Sequence, residues 1–286
     1  MSVDLLHDSK IGRLIEQALN EDIGFGDVTS ESIIPEEQLG RAVLQAKENG
    51  IVSGVEIVGI IFQYADNQIT TTVHASDGGM VAPGHVIADI DGPVRGILLG
   101  ERVALNFLQR MSGIATLTHK YVHSVAGTNA KITDTRKTAP GLRMLDKKAV
   151  RDGGGVNHRY GLDDMVLIKD NHIAAAGNIA KAVAKCQNYL RSENLKVRIE
   201  VETTSIAQVE EVLKCGGVDR IMLDNFDVEA MARAVQLIDH SLEVEASGGV
   251  TLETVRAIAD TGVDFISVGA LTHSPKALDI SLELVP

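Results

Sequence analysis

Six short apolar runs recur at regular intervals through the second half of the chain, and they constrain the fold most strongly. They are centred on Ile132, Val166, Ile199, Ile221, Val244 and Ile266. The intervals between them are 34, 33, 22, 23 and 22 residues, and the intervening segments have helical character. Consecutive βα units form a parallel sheet. Because the units are short and regular, they favour a barrel over an open doubly wound sheet.

The first part of the chain follows a different pattern. An amphipathic helix is predicted at the start, from apolar residues at helical spacing between Ile11 and Leu19. Residues 39–95 contain short Val-, Ile- and Thr-rich runs separated by Gly, Pro and Asp, which predict several strands around one helix. Residues 98–125 predict a long helix, in which Gly113 is a candidate break.

These patterns predict two domains with a boundary near residue 113. The first covers residues 1–113 and is completed by the C-terminal tail, residues 274–286, which follows the last predicted strand. The second covers residues 114–273 and contains the six βα units. Of 286 residues, 44% are hydrophobic and 23% charged, the composition of a folded globular protein.

Composition excludes several classes of protein. No apolar stretch approaches the roughly 20 residues of a membrane span, and residues 1–8 lack a secretory signal pattern, so we expect a cytoplasmic protein without a membrane partner. Cys186 and Cys215 have no CxxC or His cluster beside them, which argues against a disulfide framework or a zinc site. A net charge of -12 with nine aromatic residues and no Trp disfavours nucleic-acid binding.

One segment reverses the overall charge. Residues 131–169 hold nine basic and five acidic side chains, whereas the whole chain has 27 Lys and Arg against 39 Asp and Glu. A local excess of positive charge in an acidic protein is typical of a pocket that attracts a small polyanion. A solvated basic face is the alternative that charge alone leaves open.

Each predicted strand ends in polar residues or glycine. The six strand ends are Asp134–Lys137, Lys169–His172, Glu200–Glu202, Asp224–Asn225, Ser247–Gly249 and Val268–Ala270. In βα barrels the loops after the strands share one face, and that face carries the reactive groups. A single polar strand end is common, but six in register predict an active site.

The last two strand ends suit a phosphate group. Gly248, Gly249 and Gly269 would let backbone N–H groups approach an anion, and Thr251 is expected to cap the following helix. Phosphate sites after the final two strands recur in barrel enzymes. Tight turns without a ligand are the alternative interpretation of these glycines.

Two carboxylates on one predicted strand suggest a second kind of chemistry. Glu200 and Glu202 are two residues apart, so both side chains project to the same side of the strand. With Asp224 from the next unit they could hold Mg²⁺ or accept hydrogen bonds from sugar hydroxyls. A structural ion-pair cluster with Lys137 or Lys169 is the alternative.

Cationic side chains in the same segment suit a carboxylate ligand. Arg136 and Arg159 can bind carboxylates through two parallel hydrogen bonds, and Lys169 adds a point charge. His158 lies beside Arg159 after three consecutive glycines, and we favour a ligand role for it over that of a structural histidine.

Longer motifs in this chain closely resemble the quinolinate phosphoribosyltransferase family. The matching segments are residues 21–30, 101–113, 134–143, 148–162, 165–172, 223–226, 245–249 and 268–273. They include Asp-Thr-Arg-Lys-Thr-Ala-Pro-Gly-Leu-Arg, Gly-Gly-Gly-Val-Asn-His-Arg and Glu-Ala-Ser-Gly-Gly. The resemblance spans nearly the whole chain and is specific, because the motifs are long and occur in order.

The resemblance implies an N-terminal α/β sandwich domain and an incomplete α/β barrel of about six strands. It also implies a homodimer in which Arg102 of one subunit reaches the active site of the other. The implied substrates are quinolinate and phosphoribosyl pyrophosphate with Mg²⁺ as cofactor, and the products are nicotinate mononucleotide, pyrophosphate and CO2. The reaction would belong to the synthesis of NAD.

The resemblance also implies a set of site residues. Those implied to bind substrate are Arg102, Thr135, Arg136, Lys137, His158, Arg159, Lys169, Glu202, Asp224, Ser247, Gly248, Gly249, Gly269 and His273. Of these, Lys137, Lys169, Glu202 and Asp224 are expected to be catalytic. Glu202 and Asp224 are the expected metal ligands, directly or through water, whereas Glu200 is expected to lie behind them.

Three other functions remain open at this point. A related phosphoribosyltransferase could accept another aromatic acid, although the Arg102, Arg136 and Arg159 set favours a dicarboxylate. A barrel enzyme could use Lys169 as a Schiff-base amine, which borohydride trapping would detect. A sensor for phosphorylated metabolites would bind its ligand without turnover.

Overall fold

The computed structural model describes residues 9–285, which form two compact units. Unit 1 comprises residues 9–119, 139–154 and 274–285, and unit 2 comprises residues 120–138 and 155–273. Residues 1–8, on which the expectation of no secretory signal depends, lie outside the described part of the chain, as does Pro286.

The secondary structure alternates between helices and strands along most of the chain. The helices are α1 (Ser9–Ile23), α2 (Val28–Ile33), α3 (Val55–Ala65), α4 (Val94–Ser124), α5 (Arg143–Asp152), α6 (Asp170–Ala176), α7 (Ile179–Ser192), α8 (Ile206–Leu213), α9 (Val228–Ile238), α10 (Val255–Ala259) and α11 (Ala270–His273). The strands are β1 (Leu39–Ala46), β2 (Gly50–Ile51), β3 (Thr70–Val73), β4 (Met80–Val81), β5 (Val86–Pro93), β6 (Lys131–Thr133), β7 (Met165–Ile168), β8 (Arg198–Thr203), β9 (Arg220–Asp224), β10 (Glu243–Ser247), β11 (Phe265–Ser267) and β12 (Ile280–Val285).

Unit 1 contains an antiparallel sheet and helices with buried apolar faces. The sheet has the order β12-β1-β5-β3. Its strands bury Leu44, Ile87 and Ile90, while α3 buries Ile61 and Phe62. The predicted α/β sandwich is confirmed. The C-terminal strand β12 pairs with β1 from Ala46↔Ile280 to Arg41↔Val285, which places the tail in this unit.

The long helix α4 continues through Gly113, so the predicted break at this glycine is wrong. A side chain at Gly113 would overlap the backbone carbonyl of Lys276. The glycine therefore permits a close approach of the tail to the helix, which explains its presence inside a regular helix.

Helix α5 belongs to unit 1, although the sequence places its residues in the second domain. On α4, Arg110 donates two hydrogen bonds of 2.9 Å to the carboxylate of Asp146, which is fully buried on α5. This bidentate pair fixes α5 against α4. Helix α2 was not predicted, and it starts where Asp27 accepts hydrogen bonds from the backbone N–H groups of Thr29 and Ser30.

Unit 2 contains six parallel strands in the order β6-β11-β10-β9-β8-β7. All six predicted strands are confirmed. The two ends of this sheet, β6 and β7, do not pair with each other, so the barrel is incomplete, as expected. Among the helices between residues 9 and 285, none combines the length and the apolar character needed to cross a bilayer.

Candidate active site

A cavity of about 740 Å³ lies at the carboxyl ends of the parallel strands in unit 2. Thirteen of the fourteen residues expected to bind substrate line it. They are Thr135, Arg136, Lys137, His158, Arg159, Lys169, Glu202, Asp224, Ser247, Gly248, Gly249, Gly269 and His273. The fourteenth, Arg102, is exposed on α4 in unit 1. The six strand ends therefore meet as the βα pattern predicts.

Two guanidinium groups, those of Arg136 and Arg159, line the cavity. Burial and the neighbouring charge of Arg136 together lower the pKa of Arg159 below its ordinary value. The Arg159 side chain donates one hydrogen bond to the carbonyl of Met165, at 3.1 Å. Within residues 9–285, neither Arg136 nor Arg159 forms an ion pair with a carboxylate. Two like charges held together in this way favour an anionic ligand.

Two lysines add positive charge to the same cavity. The segment that carries Lys137 is fixed by its backbone: its N–H donates to Oγ1 of Thr135 at 3.0 Å, and its carbonyl accepts from Oγ1 of Thr272 at 2.9 Å. Lys169 follows β7, and its Nζ lies 3.2 Å from Oε2 of Glu202. The cavity thus holds four cationic side chains.

Two carboxylates stand at the ends of neighbouring strands. Glu202 lies on β8 and Asp224 ends β9, and both line the cavity. Asp224 accepts a hydrogen bond of 2.8 Å from the side chain of Asn225. The Glu202–Lys169 contact matches the ion pair considered as an alternative role for this carboxylate, whereas Lys137 has no such contact within the described residues.

The glycine loops line the same cavity. Gly248 has a φ of +96°, and a side chain there would overlap the side chain of Asn225. Gly249 has a φ of +58° and open space around it. These conformations favour glycine and leave the backbone accessible to an anion.

The expected helix cap at Thr251 is wrong. Helix α10 begins at Val255 with Thr254 at its cap position, and no side chain caps it. Thr251 instead accepts hydrogen bonds from the backbone N–H groups of Thr254 and Val255 through its carbonyl. The short helix starts later than the sequence pattern indicates, because a turn separates it from the glycines.

A buried cluster of charged groups lies beneath the cavity. The Nε2 atom of His158 is 3.1 Å from Oε2 of Glu200 and 3.3 Å from Oε2 of Glu245, and both carboxylates are fully buried. The same Oε2 atom of Glu245 accepts a hydrogen bond of 2.9 Å from Arg220, whose guanidinium stacks on Phe265 at 3.8 Å from the ring centroid. Glu200 therefore lies behind the cavity wall, as expected.

The two carboxylates of the cluster differ in their pKa. Burial and the nearby charge of Glu245 raise the pKa of Glu200. Burial opposes ionisation of Glu245 as well, but its contacts with His158 and Arg220 outweigh that effect and lower its pKa. Glu245 is therefore the carboxylate that carries the negative charge facing Arg220.

The proton on His158 is placed by contacts on both sides of the ring. Burial disfavours a charged ring, but the nearby carboxylates of Glu200 and Glu245 outweigh it and raise the pKa of His158 to about 9. On the opposite side, the backbone N–H of Arg159 donates to Nδ1 at 2.8 Å. A backbone N–H that points at Nδ1 opposes a second proton there, so this contact counteracts the two carboxylates. In the arrangement shown, Nδ1 is an acceptor and the ring carries its proton on Nε2.

Sequence reasoning did not select three polar residues that shape the site. Asp134 is buried and accepts hydrogen bonds from the side chain of Asn157, at 2.6 Å, and from the backbone N–H of His158, at 2.9 Å. Asn225 adopts a left-handed backbone conformation with a φ of +57°. Glu245 lines the cavity floor. Their positions in strand-end motifs were the available signal, but their partners include residues that are distant in the sequence.

The fold and the cavity define a class of protein: an incomplete α/β barrel with a cavity at the carboxyl ends of its strands, lined by cationic side chains that suit small polyanions. Residues 27–112 match the family model described as quinolinate phosphoribosyl transferase, N-terminal domain, and residues 114–283 match the corresponding C-terminal domain. The two matches meet at residue 113, where the sequence predicts the domain boundary.

Similar proteins carry consistent names. The chain is 49% identical over 286 residues to the chloroplastic nicotinate-nucleotide pyrophosphorylase (carboxylating) of Arabidopsis thaliana, covering 95% of this chain and 82% of that protein. It is 47% identical to quinolinate phosphoribosyltransferase (decarboxylating) 2a, mitochondrial, of Nicotiana tabacum, covering 95% and 81%. The crystal structure of NadC from Streptococcus pyogenes superposes with a TM-score of 0.91 at 38% identity, covering 97% of this chain and 98% of that one. The chain belongs to the quinolinate phosphoribosyltransferase family.

Proposed function

We propose that the protein transfers the phosphoribosyl group of phosphoribosyl pyrophosphate to quinolinate, with release of pyrophosphate and CO2. The product is nicotinate mononucleotide, so the enzyme is a decarboxylating pentosyltransferase in the synthesis of NAD. One observation carries this proposal: Arg136 and Arg159 line the same cavity and have no carboxylate partners among the described residues. A pyridine with two adjacent carboxylates supplies the charge that this pair lacks.

The arginines and lysines of the cavity have different roles in binding the two substrates. Arg136 and Arg159 orient the carboxylates of quinolinate, because planar guanidinium groups bind carboxylates through paired hydrogen bonds. Lys137 and Lys169 offset the remaining substrate charge as mobile point charges. Gly248, with its left-handed backbone, and the open space at Gly249 let the loop approach the 5-phosphate.

The first chemical step joins the base to the sugar. The ring nitrogen forms a bond to C1 of the ribose while the bond from C1 to pyrophosphate breaks, and the bonding electrons leave with pyrophosphate. The transition state has oxocarbenium character, so the protein contributes mainly alignment and charge stabilisation. Glu202 and Asp224 lie where carboxylates can accept hydrogen bonds from ribose hydroxyls and stabilise positive charge at C1.

The second step removes CO2. Alkylation makes the ring nitrogen positive, and the bond to the adjacent carboxylate then breaks with its electron pair left on C2. The positive nitrogen stabilises this carbanion, which takes a proton from water. No Schiff base is needed, so Lys169 acts through its charge and not as a nucleophile.

Mg²⁺ fits the acidic side of the cavity. Glu202 and Asp224 present carboxylate oxygens at the ends of adjacent strands, and Mg²⁺ prefers one or two carboxylates together with substrate phosphates and water. These two residues would hold the ion, directly or through water. When bound, the ion would supply positive charge against pyrophosphate.

Base selectivity tests the proposed reaction. Purified protein is given phosphoribosyl pyrophosphate and Mg²⁺ with either quinolinate or nicotinate, and nucleotide and CO2 are measured together. Turnover of quinolinate with equal amounts of nucleotide and CO2, and little turnover of nicotinate, is the expected result. Folded protein that uses neither base would refute the assignment.

We further propose a homodimer in which each active site includes Arg102 of the partner. Arg102 is exposed on α4 of unit 1, whereas the other thirteen expected binding residues line one cavity in unit 2. An exposed arginine that belongs to the same motif set but to the other unit suits a role in trans. It would add a third guanidinium for the quinolinate carboxylates.

Mixed dimers test the shared site. Arg102→Ala and Lys169→Ala should each abolish most activity, because each removes a substrate-facing charge. After the two variants are mixed and allowed to exchange subunits, one site of each hybrid contains both wild-type residues, so activity should return toward about a quarter of wild type. Each variant mixed with itself, which cannot form a wild-type site, serves as the control. Hybrids that form, as shown by mass spectrometry, but stay inactive would contradict the shared site.

We also place the enzyme in the cytoplasm. Cys186 and Cys215 are both free thiols, as is usual in a reducing compartment. Fractionation of cells from the source species, with the protein detected by antibody, tests this location.

A further inference from the structure

The buried cluster beneath the cavity has a geometry that the reaction does not explain by itself. His158 lines the cavity, yet only 6% of its side chain is exposed and both ring nitrogens face protein groups. Nε2 faces Glu200 and Glu245, and Nδ1 accepts the backbone N–H of Arg159. The ring therefore has no nitrogen available for substrate in this arrangement.

A metal ion does not suit the cluster, although a histidine and two carboxylates within 4.8 Å of one another resemble a metal site. A histidine that binds a metal through Nε2 donates its Nδ1 proton to an acceptor. Here Nδ1 is itself an acceptor, and Arg220 already occupies Oε2 of Glu245. The cluster instead forms a chain of polar contacts, in which hydrogen bonds at Arg220 and Arg159 flank the ion pair between Glu245 and His158.

That chain leads from the barrel interior to the cavity wall. Arg220 is held by the Phe265 ring and by Glu243, and it donates to Oε2 of Glu245. The same oxygen lies 3.3 Å from Nε2 of His158 and, together with Oε2 of Glu200 at 3.1 Å, restrains the rotation of the ring. With the ring fixed, Nδ1 holds the backbone of Arg159, whose side chain enters the cavity.

We propose that Glu245 and Arg220 are positioning residues for the dicarboxylate substrate, acting through His158 on Arg159. The inference rests on the proposed function and extends it to two residues that do not themselves contact quinolinate. Asp134 supports the same segment from its other side, where it accepts the backbone N–H of His158. Loss of the Glu245 contact should loosen the ring and Arg159, while Asp134 still holds the backbone of His158.

The test compares two glutamates that share one arginine. Glu245→Gln removes the charge that faces His158 and Arg220, whereas Glu243→Gln alters the other Arg220 partner, which has no contact with His158 within the described residues. Binding of phthalate, the carbocyclic analogue of quinolinate, is measured by calorimetry, and KM is measured for both substrates. Phthalate binds without reacting, so its Kd measures the contribution of Arg159 to carboxylate binding.

Glu245→Gln should raise the phthalate Kd and the quinolinate KM by about tenfold, the effect of losing one charged hydrogen bond, with KM for phosphoribosyl pyrophosphate within about twofold. Glu245→Ala should have a larger effect, because Gln keeps an oxygen that can accept from His158 and Arg220. Glu243→Gln should leave both KM values within about twofold.

Three results would overturn the inference. The first is an equal rise in KM for both substrates. The second is an equal change in KM in Glu245→Gln and Glu243→Gln, and the third is an unchanged phthalate Kd in Glu245→Gln. If the Glu245 variants do not fold, His158→Asn, whose side-chain oxygen can still accept the Arg159 N–H, should bind phthalate better than His158→Ala; equal binding would refute the inference. Wild-type protein that binds phthalate but makes no nucleotide would refute the proposed reaction alone.

Discussion

The two ends of the parallel strands in unit 2 differ in whether their charged side chains are paired. At the amino ends, Arg198 and Arg220 both pair with Glu243, and Arg220 also stacks on Phe265. At the carboxyl ends, Arg136 and Lys137 have no carboxylate partner among the described residues. The amino-end charges therefore stabilise the barrel. At the carboxyl ends, only Lys169 among the cavity's arginines and lysines pairs with a carboxylate of the described part of the chain, that of Glu202, and the remaining positive charge favours an anionic ligand.

The largest expected effect is on stability, at the amino ends. Arg220→Met should lower the free energy of unfolding by about 3–5 kcal/mol, because it leaves Glu245 buried without its arginine. Arg198→Met removes a half-exposed partner of Glu243 and should cost about 1 kcal/mol or less. Urea unfolding followed by circular dichroism measures both. Equal decreases in the free energy of unfolding would show that burial does not distinguish these two arginines.

Lys169→Ala gives the opposite pattern at the carboxyl ends. We expect kcat/KM for quinolinate to fall roughly 100- to 1,000-fold, as when a group that stabilises transition-state charge is removed. The melting temperature should change little, since the Lys169 side chain is 47% exposed. Lys181→Ala, an exposed lysine on α7, serves as control and should keep its activity. A large drop in the melting temperature of Lys169→Ala would show that this lysine stabilises the barrel, as the arginines at the amino ends do.

The glycine loop offers a smaller and more local test. Gly248→Ala strains a backbone with a φ of +96° and overlaps Asn225, so KM for phosphoribosyl pyrophosphate should rise about tenfold, a cost within the range of 1–3 kcal/mol for local strain. Gly249→Ala meets no atom within 4 Å and should have the weaker effect. Steady-state kinetics with saturating quinolinate compares them. An unchanged KM in both variants would assign the phosphate to another loop.

Acid sensitivity should be the smallest effect. Burial disfavours ionised Glu243, but hydrogen bonds from Arg198 and Arg220 outweigh it and hold the pKa of Glu243 below its ordinary value of 4.5. Its stabilisation is thus complete above pH 4.5 and is lost as the pH falls through the lowered pKa. Below pH 4.5 the urea midpoint of wild type should decline more steeply than that of Glu243→Gln. Parallel declines would show that other carboxyl groups dominate.

Local patterns predicted much of the fold. The six parallel strands were found because each apolar run is bounded by polar turn residues and followed by a helix. The cavity residues at the strand ends followed from the same pattern, since parallel strands bring their carboxyl ends to one face. His158 and Arg159 were selected from the basic segment before β7, and His273 from the family resemblance. Close approaches were not predicted: Gly113 was taken for a helix break because the position of Lys276 is a tertiary property.

Contacts between strands were the other part that the sequence did not reveal. His158, Glu200 and Glu245 come from three separate segments, and their distances depend on the register of neighbouring strands. The sequence identified His158 as a ligand by its position beside Arg159. The structure shows that its ring nitrogens contact protein groups, which a linear pattern cannot indicate.

The most direct test of the account follows one carboxylate through the reaction. Quinolinate labelled with ¹³C in the carboxylate next to the ring nitrogen is incubated with the enzyme, phosphoribosyl pyrophosphate and Mg²⁺, and both products are analysed by mass spectrometry. The account predicts one labelled CO2 for each unlabelled nicotinate mononucleotide. Nucleotide that retains the label, or labelled CO2 without nucleotide, would contradict it.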